Sequence, residues 1–199
     1  MGALIDSSIF IAAEKGDCDL WGRLQERPGE EVALAAVSAS ELLHGVHRAG
    51  AAQRGKREAF VENILATIAV LPFDIRAARV HSRLWADLAA RGTPVGERDL
   101  LIAATAVAFG HRVLTRDQRS FPKIPGLDVE LWGGTDKEKI ATRRLFQDAV
   151  GKRCRLSWQS RPFDVTIVDA RVNTIVVHDE TNGNIIMKYE EVSGIRIRD

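Results

Sequence analysis

The 199-residue chain carries 28 Lys and Arg against 27 Asp and Glu, a formal net charge of +1, with 45% hydrophobic and 28% charged residues. This is the composition of a globular protein of one large or two small domains, and it excludes a global field that would draw in nucleic acid or a membrane, so any such binding must come from local patches. The two cysteines, Cys18 and Cys154, form no CxxC or Cys/His pattern, which argues against a disulfide framework or a zinc site and fits a cytoplasmic location.

Taken in chain order, "ALID" opens as a first strand that ends on Asp6. It has no basic leader and no small-residue cleavage pattern, so no signal peptide is expected. No apolar run later in the chain approaches the roughly 20 residues of a membrane span. "EVALAAV" predicts a second strand, followed by a helix through "SASELLHG". "KREAFVENILATI" places Phe60, Val61, Ile64, Leu65 and Ile68 at a helical period. "AVLPF" predicts a third strand. "DIRAARVHSRLWADLAARG" is a second amphipathic helix, with Asp74 as N-cap and Gly92 as its stop. "LLIAATAVAFG" is apolar except for Thr105, follows Asp99 and closes on Gly110, which predicts a helix buried on all sides. "HRVLT" and "LDVELW" complete the strands. The alternation is that of an α/β fold with a parallel sheet flanked by helices.

The pattern changes after Trp132. "GGTD" is a joint, and Asp136 is placed to cap a helix through "KEKIATRRLFQDAVG". "CRLSW", "DVTIVDA", "NTIVVHD", "IIMKY" and "GIRIR" then alternate with period two, and Asn182-Gly183 signals a hairpin. One helix followed by five short strands predicts a small β-barrel. The expected organisation is a first domain over residues 1–132, a linker at 133–135 and a barrel domain over 136–199.

Four acids follow the predicted strands or open the helices after them: Asp6, Glu41, Asp99 and Asp117. In an open α/β sheet such carboxyl-end positions gather along one crevice. A local explanation stands beside this. Asp6, Asp99 and Asp117 are each plausible N-caps, Ser38 and Glu41 match a capping box, and Asp74 occupies an equivalent position with no claim to function. If the four converge, they repel one another unless a cation neutralises them. An all-oxygen set favours Mg²⁺ or Mn²⁺, whose chemistry suits phosphodiester hydrolysis.

"LIDSSIFI", "SASELLHGV", "GERDLLIAATAVAFG" and "VLTRDQRSF", in this order, resemble PIN-domain ribonucleases, specifically the VapC toxins of bacterial toxin–antitoxin pairs, over residues 1–132. The resemblance implies a metal-dependent endoribonuclease with an RNA substrate, an antitoxin partner and a tendency to form homo-oligomers. It assigns Asp6, Glu41, Asp99 and Asp117 as catalytic metal ligands, Asp6 and Asp99 foremost, and leaves Asp74 outside the set. Ser8 and Thr115 match small hydroxyl positions beside the acids, and Arg116 is a candidate substrate contact. Many relatives carry an acid before the residue matching Phe121, whereas this chain has Ser120. Residues 136–199 resemble an Sm or Hfq-like barrel, without the Hfq Lys-His pair, which falls on Tyr189 and Glu190. The alternative to a nuclease is an inactive PIN scaffold carrying an Sm-like RNA-binding or oligomerisation domain.

Other features have simpler accounts. His44 and His47 share a helix with Glu41, but His47 is rotated off its face and solvent-facing histidines are expected. Arg48, Arg54, Lys56 and Arg57 are expected in a basic loop, Arg76, Arg79 and Arg83 in a helical stripe, and Arg119 beside Arg116. The four tryptophans are dispersed and suit core or interface positions.

Overall fold

The computed structural model describes residues 2–158, 161–171 and 174–197. The chain forms two compact units, one of residues 1–18 and 27–135, the other of residues 19–26 and 136–199.

The first unit is built on five parallel strands: β1 (Gly2–Ile5), β2 (Val32–Ala35), β3 (Ala69–Leu71), β4 (His111–Thr115) and β5 (Val129–Leu131), in the order β3-β2-β1-β4-β5. Ala3, Leu4 and Ile5 of β1 are fully buried, as a central strand covered on both faces must be. Edge strand β3 leaves Val70 exposed. β2 and β3 are shorter than the apolar runs that announce them, because Ala36 already begins a helix and Pro72, which has no N–H for the ladder, directly follows β3.

The helices of this unit are α1 (Ser7–Glu14), α3 (Ala36–Arg48), α4 (Ala51–Thr67), α5 (Ile75–Ala90) and α6 (Glu97–Ala108), while α2 (Leu20–Gln25) belongs to the second unit. Asp74 caps α5 as expected, accepting from the Arg76 and Ala77 N–H groups at 2.9 and 3.1 Å. Past the end of α5 the chain turns at Gly92, whose φ is +61°. The expected basic loop does not exist. Arg48 closes α3, and Arg54, Lys56 and Arg57 lie on α4, which starts five residues before its apolar period because "AAQRG" is a solvent-facing turn with nothing to bury. α6 buries Leu100 and Ile102 through Ala106, and its fully buried Ala103, Ala104 and Ala106 let its backbone approach the core closely. It is not buried on all sides, since Val107 is exposed.

The second unit contains α7 (Lys137–Asp148) and the strands β6 (Arg153–Trp158), β7 (Arg161–Ala170), β8 (Thr174–Asp179), β9 (Gly183–Lys188) and β10 (Val192–Ile197). They form an antiparallel sheet in the order β10-β6-β7-β8-β9. A 3-10 turn at Tyr189–Glu191 returns the chain from β9 to the free edge of β6. Among the described residues no pairing joins β9 to β10. Asn173, expected to begin β8, lies outside the described residues. The β8–β9 hairpin forms with Asp179 opposite Gly183, so Gly183, at φ +73°, starts β9 rather than completing a two-residue turn. The Asp179 carboxylate holds the loop through the Thr181 and Asn182 N–H groups at 2.7 and 2.9 Å. The core gathers Cys154, Leu156, Val165, Ile167, Ile175, Val177 and Met187 beneath Phe146 of α7, whose ring stacks on Tyr189 at 5.1 Å.

α2 enters this unit through charge. Asp136 stands at the N-cap position of α7, but its carboxylate makes no cap bond and instead accepts from Asp19 N–H at 2.9 Å and from the Arg23 guanidinium at 2.9 and 3.0 Å. Arg143 of α7 in turn grips the Asp19 carboxylate, which also caps α2 through Gly22 N–H at 3.2 Å. No helix among the described residues is long and apolar enough to cross a membrane.

Candidate functional site

The strand order reverses direction between β1 and β4, and it is outside the carboxyl ends of such a pair that an open parallel sheet leaves a crevice. Asp6 is the residue after β1. Its N–H donates to Leu114 O at 2.9 Å, which fixes it against β4. It caps α1 through Ser8 N–H at 3.3 Å, as the local explanation foresees, yet the cap is only one of its bonds. Oδ2 also accepts the Ser8 hydroxyl at 2.5 Å and the Thr115 hydroxyl at 2.9 Å. Among the described residues the one hydroxyl near Oδ1 is that of Ser7 at 3.5 Å, beyond good hydrogen-bond range, and its proton is directed elsewhere. One oxygen is saturated and the other is open.

The two relay hydroxyls are themselves positioned. Ser8 Oγ accepts the Arg116 N–H at 3.1 Å, and Thr115 Oγ1 accepts the Asp117 N–H at 3.0 Å. Ser7 Oγ donates its single proton at 2.7 Å to Glu41 Oε2, in the second turn of α3. α3 begins at Ala36 with no side-chain cap, so the expected Ser38–Glu41 capping box does not form. Ser38 instead lies buried, its hydroxyl without a partner among the described residues.

Asp99 is the third residue of α6, and the N-cap is Gly96, so Asp99 is not the cap that its sequence position suggests. A Cβ built on Gly96 would lie 2.7 Å from Asp99 Oδ2, so the carboxylate occupies the space that a side chain there would fill. The backbone of Gly96, at φ −56° and ψ 137°, is open to any residue. We expect Gly96→Ala to change stability by less than about 1 kcal/mol while moving the carboxylate. A displacement on the 1 Å scale costs up to about 100-fold in rate at a constrained site. Thermal melts and activity on the same preparation check this.

Asp117 follows β4 and folds back on its own loop, accepting Arg119 N–H at 2.6 Å and Ser120 N–H at 3.4 Å. Ser120 stands where the resemblance places an acid, and its hydroxyl pulls the pKa of both Asp99 and Asp117 downward. The Arg116 guanidinium turns to backbone carbonyls, at 3.3 Å from Trp132 O and 2.9 Å from Gly134 O, so near the acids Arg116 contributes its N–H. Arg98, which no motif singles out, reaches from α6 to Glu41 with Nη1 at 3.4 Å from Oε1. His44 and His47 are solvent-exposed.

The electrostatics separate the acids. Asp6 is 5% exposed, and burial raises its pKa above the ordinary aspartate value against the pull of the Ser8 and Thr115 hydrogen bonds, with the Glu41 charge raising it further. Burial likewise raises Asp99; the Ser120 hydroxyl pulls it down, and the charges of Asp6 and Asp117 push it up. In Asp117, burial is outweighed by the Arg119 and Ser120 bonds and the Arg119 charge, so its pKa falls. Asp6, Glu41, Asp99 and Asp117 are thus linked by mutual repulsion, Glu41 to Asp6, Asp6 to Asp99, and Asp99 to Asp117. Among the described residues, no group of three or more His, Cys, Asp and Glu side chains is placed to hold a metal ion.

The PIN domain family model matches residues 3–127. Ribonuclease VapC1 of Rickettsia felis is 34% identical over 132 residues, covering 65% of this chain and 95% of the relative. The tRNA(fMet)-specific endonuclease VapC of Salmonella typhimurium is 35% identical over 99 residues, covering 50% of this chain and 74% of the relative. Among solved structures, DNA-bound VapBC from Salmonella typhimurium aligns with a TM-score of 0.61 at 28% identity, over 67% of this chain and 99% of the other.

Proposed function

Because the chain belongs to the PIN-domain family and groups with its VapC ribonucleases, we propose that it is a Mg²⁺-dependent endoribonuclease, the toxin of a toxin–antitoxin pair, that hydrolyses RNA phosphodiester bonds. The observation that carries this is the buried Asp6 carboxylate, one oxygen locked by two hydroxyls and the other open, in mutual repulsion with Glu41 and Asp99. Such an arrangement is costly without a cation and suits one.

The donor set fits Mg²⁺ or Mn²⁺. It is all oxygen, and Mg²⁺ keeps several waters while taking one or two protein carboxylates, so Asp6 and Asp99 suffice without a closed cage. Glu41 and Asp117 would bind directly, through water or through a second ion. When bound, the metal activates a water and neutralises charge developing on the phosphodiester. The protein's own part is orientation. Ser8 and Thr115 hold Asp6 Oδ2, Ser7 holds Glu41 Oε2, and Gly96 leaves room for Asp99. The intact acids speak against an inactive scaffold.

The partner follows from the solved VapBC complexes, which support an antitoxin. A cytoplasmic location and homo-oligomers are part of the same proposal. For residues 136–199 we favour an Sm-like small barrel serving assembly or RNA grip, supported by a helix, five antiparallel strands in the order β10-β6-β7-β8-β9 and a 3-10 turn before the last strand.

Chelation tests the metal. Excess EDTA is expected to abolish cleavage of a structured RNA, and Mg²⁺ or Mn²⁺ added back to restore it. Undiminished cleavage in EDTA would sink the proposal.

A further inference from the structure

Four carboxylates and one divalent cation still leave the site negative, and the substrate proposed for it is a polyanion, so the site needs a cation of its own near the reacting phosphate. Arg116 is turned to the Trp132 and Gly134 carbonyls. Among the described residues, Arg98 is the one Lys or Arg in an ion pair with any of the four acids. It precedes Asp99 in the first turn of α6, where the helix dipole disfavours a positive charge, so helix stability does not account for it.

The pair it makes is loose. Arg98 Nη1 stands 3.4 Å from Glu41 Oε1, and its side chain is 70% exposed. The other Glu41 oxygen is held by Ser7 at 2.7 Å. An exposed pair of this kind is weak and readily exchanged, whereas a guanidinium offers a phosphodiester a two-pronged, charge-assisted contact.

We propose that Arg98 is a phosphate-contacting residue of this site, and that Glu41 parks its guanidinium until the carboxylate turns to a divalent cation. The inference rests on the nuclease reading and adds to it a substrate contact and an order of events: with a divalent cation bound, Glu41 Oε1 would turn inward and leave Arg98 free for RNA. Parking has a second consequence. In the metal-free protein Arg98 competes with the cation for the same oxygen.

The test compares Arg98→Ala and Arg98→Lys with wild type in the full chain, using Mn²⁺ titration calorimetry without RNA and cleavage kinetics with Mg²⁺. Arg98→Ala is expected to bind Mn²⁺ about 2- to 5-fold more tightly, the range of an exposed ion pair. It is expected to raise KM about 5-fold with kcat little changed, and to reduce the dependence of log KM on log salt by about 0.7, one phosphate contact on a single strand. Arg98→Lys, which keeps the charge, recovers most of KM. Unchanged KM, salt slope and Mn²⁺ affinity in Arg98→Ala, beside a wild type that cleaves, would overturn the inference. A wild type that binds Mn²⁺ but cleaves no RNA would overturn the nuclease reading, and the Mn²⁺ titration would still decide whether Arg98 competes for Glu41.

Discussion

Asp99→Asn is expected to lower RNA cleavage by at least on the order of 10²–10³-fold, the scale of losing one well-placed electrostatic group, without weakening the fold. Asparagine has the same shape, and α6 starts from Gly96, so no cap is lost. The metal-free stability should move the other way. A carboxylate whose folded pKa is raised favours the folded state fully below its unfolded value, near 3.8, and loses that contribution as pH rises through the folded value. At neutral pH Asp99 therefore costs stability, and so does Asp6. Metal-free Asp99→Asn is thus expected to melt at or above wild type at pH 7, with the advantage vanishing as pH falls towards the unfolded value. Saturating Mg²⁺ should reverse the order, because only wild type gains from binding it. A melting temperature well below wild type without metal would mean that Asp99 is a structural acid.

The second large effect lies in the other unit. Arg143→Ala is expected to destabilise it by about 3 kcal/mol, the low end for breaking a buried ion pair. The side chains of Asp19 and Arg143 are 8% and 14% exposed, so truncating Arg143 leaves the Asp19 carboxylate buried and unneutralised. Urea denaturation would read the loss as a lower midpoint. Adding Asp19→Asn should recover much of it, since asparagine still caps α2 and brings no charge. A change in Arg143→Ala below about 0.5 kcal/mol would reduce the pair to an ordinary surface contact.

These two cases mark what is readable in the chain before folding. The parallel sheet is legible because β1 and β2 are continuous apolar runs and β4 carries Val113 and Leu114 between turn signals, and the acids behind them follow from strand ends. Local pattern does not separate Asp74 from Asp6, as both cap helices. Position in the sheet does, because Asp74 follows edge strand β3 and pairs with its neighbour Arg76, whereas Asp6 sits between β1 and β4 and is locked by Thr115. α2 is illegible for a physical reason. Six residues have no period to show, and its anchors, Asp136 and Arg143, lie more than a hundred residues away. The same holds for Ser7, whose role depends on Glu41, and for Arg98, whose partner is on another helix. Gly96 is illegible too: Gly45, Gly50 and Gly55 also have ordinary backbone with open space around them, and only the fold shows that the Asp99 carboxylate fills the place of a side chain at Gly96.

The most direct test of the central claim is a crystal of the full chain soaked in Mn²⁺, read by its anomalous signal. The account predicts a peak between the open Oδ1 of Asp6 and the Asp99 carboxylate, with Glu41 turned towards it and Arg98 released. A peak elsewhere, or none, in protein that cleaves RNA with the same metal would contradict it.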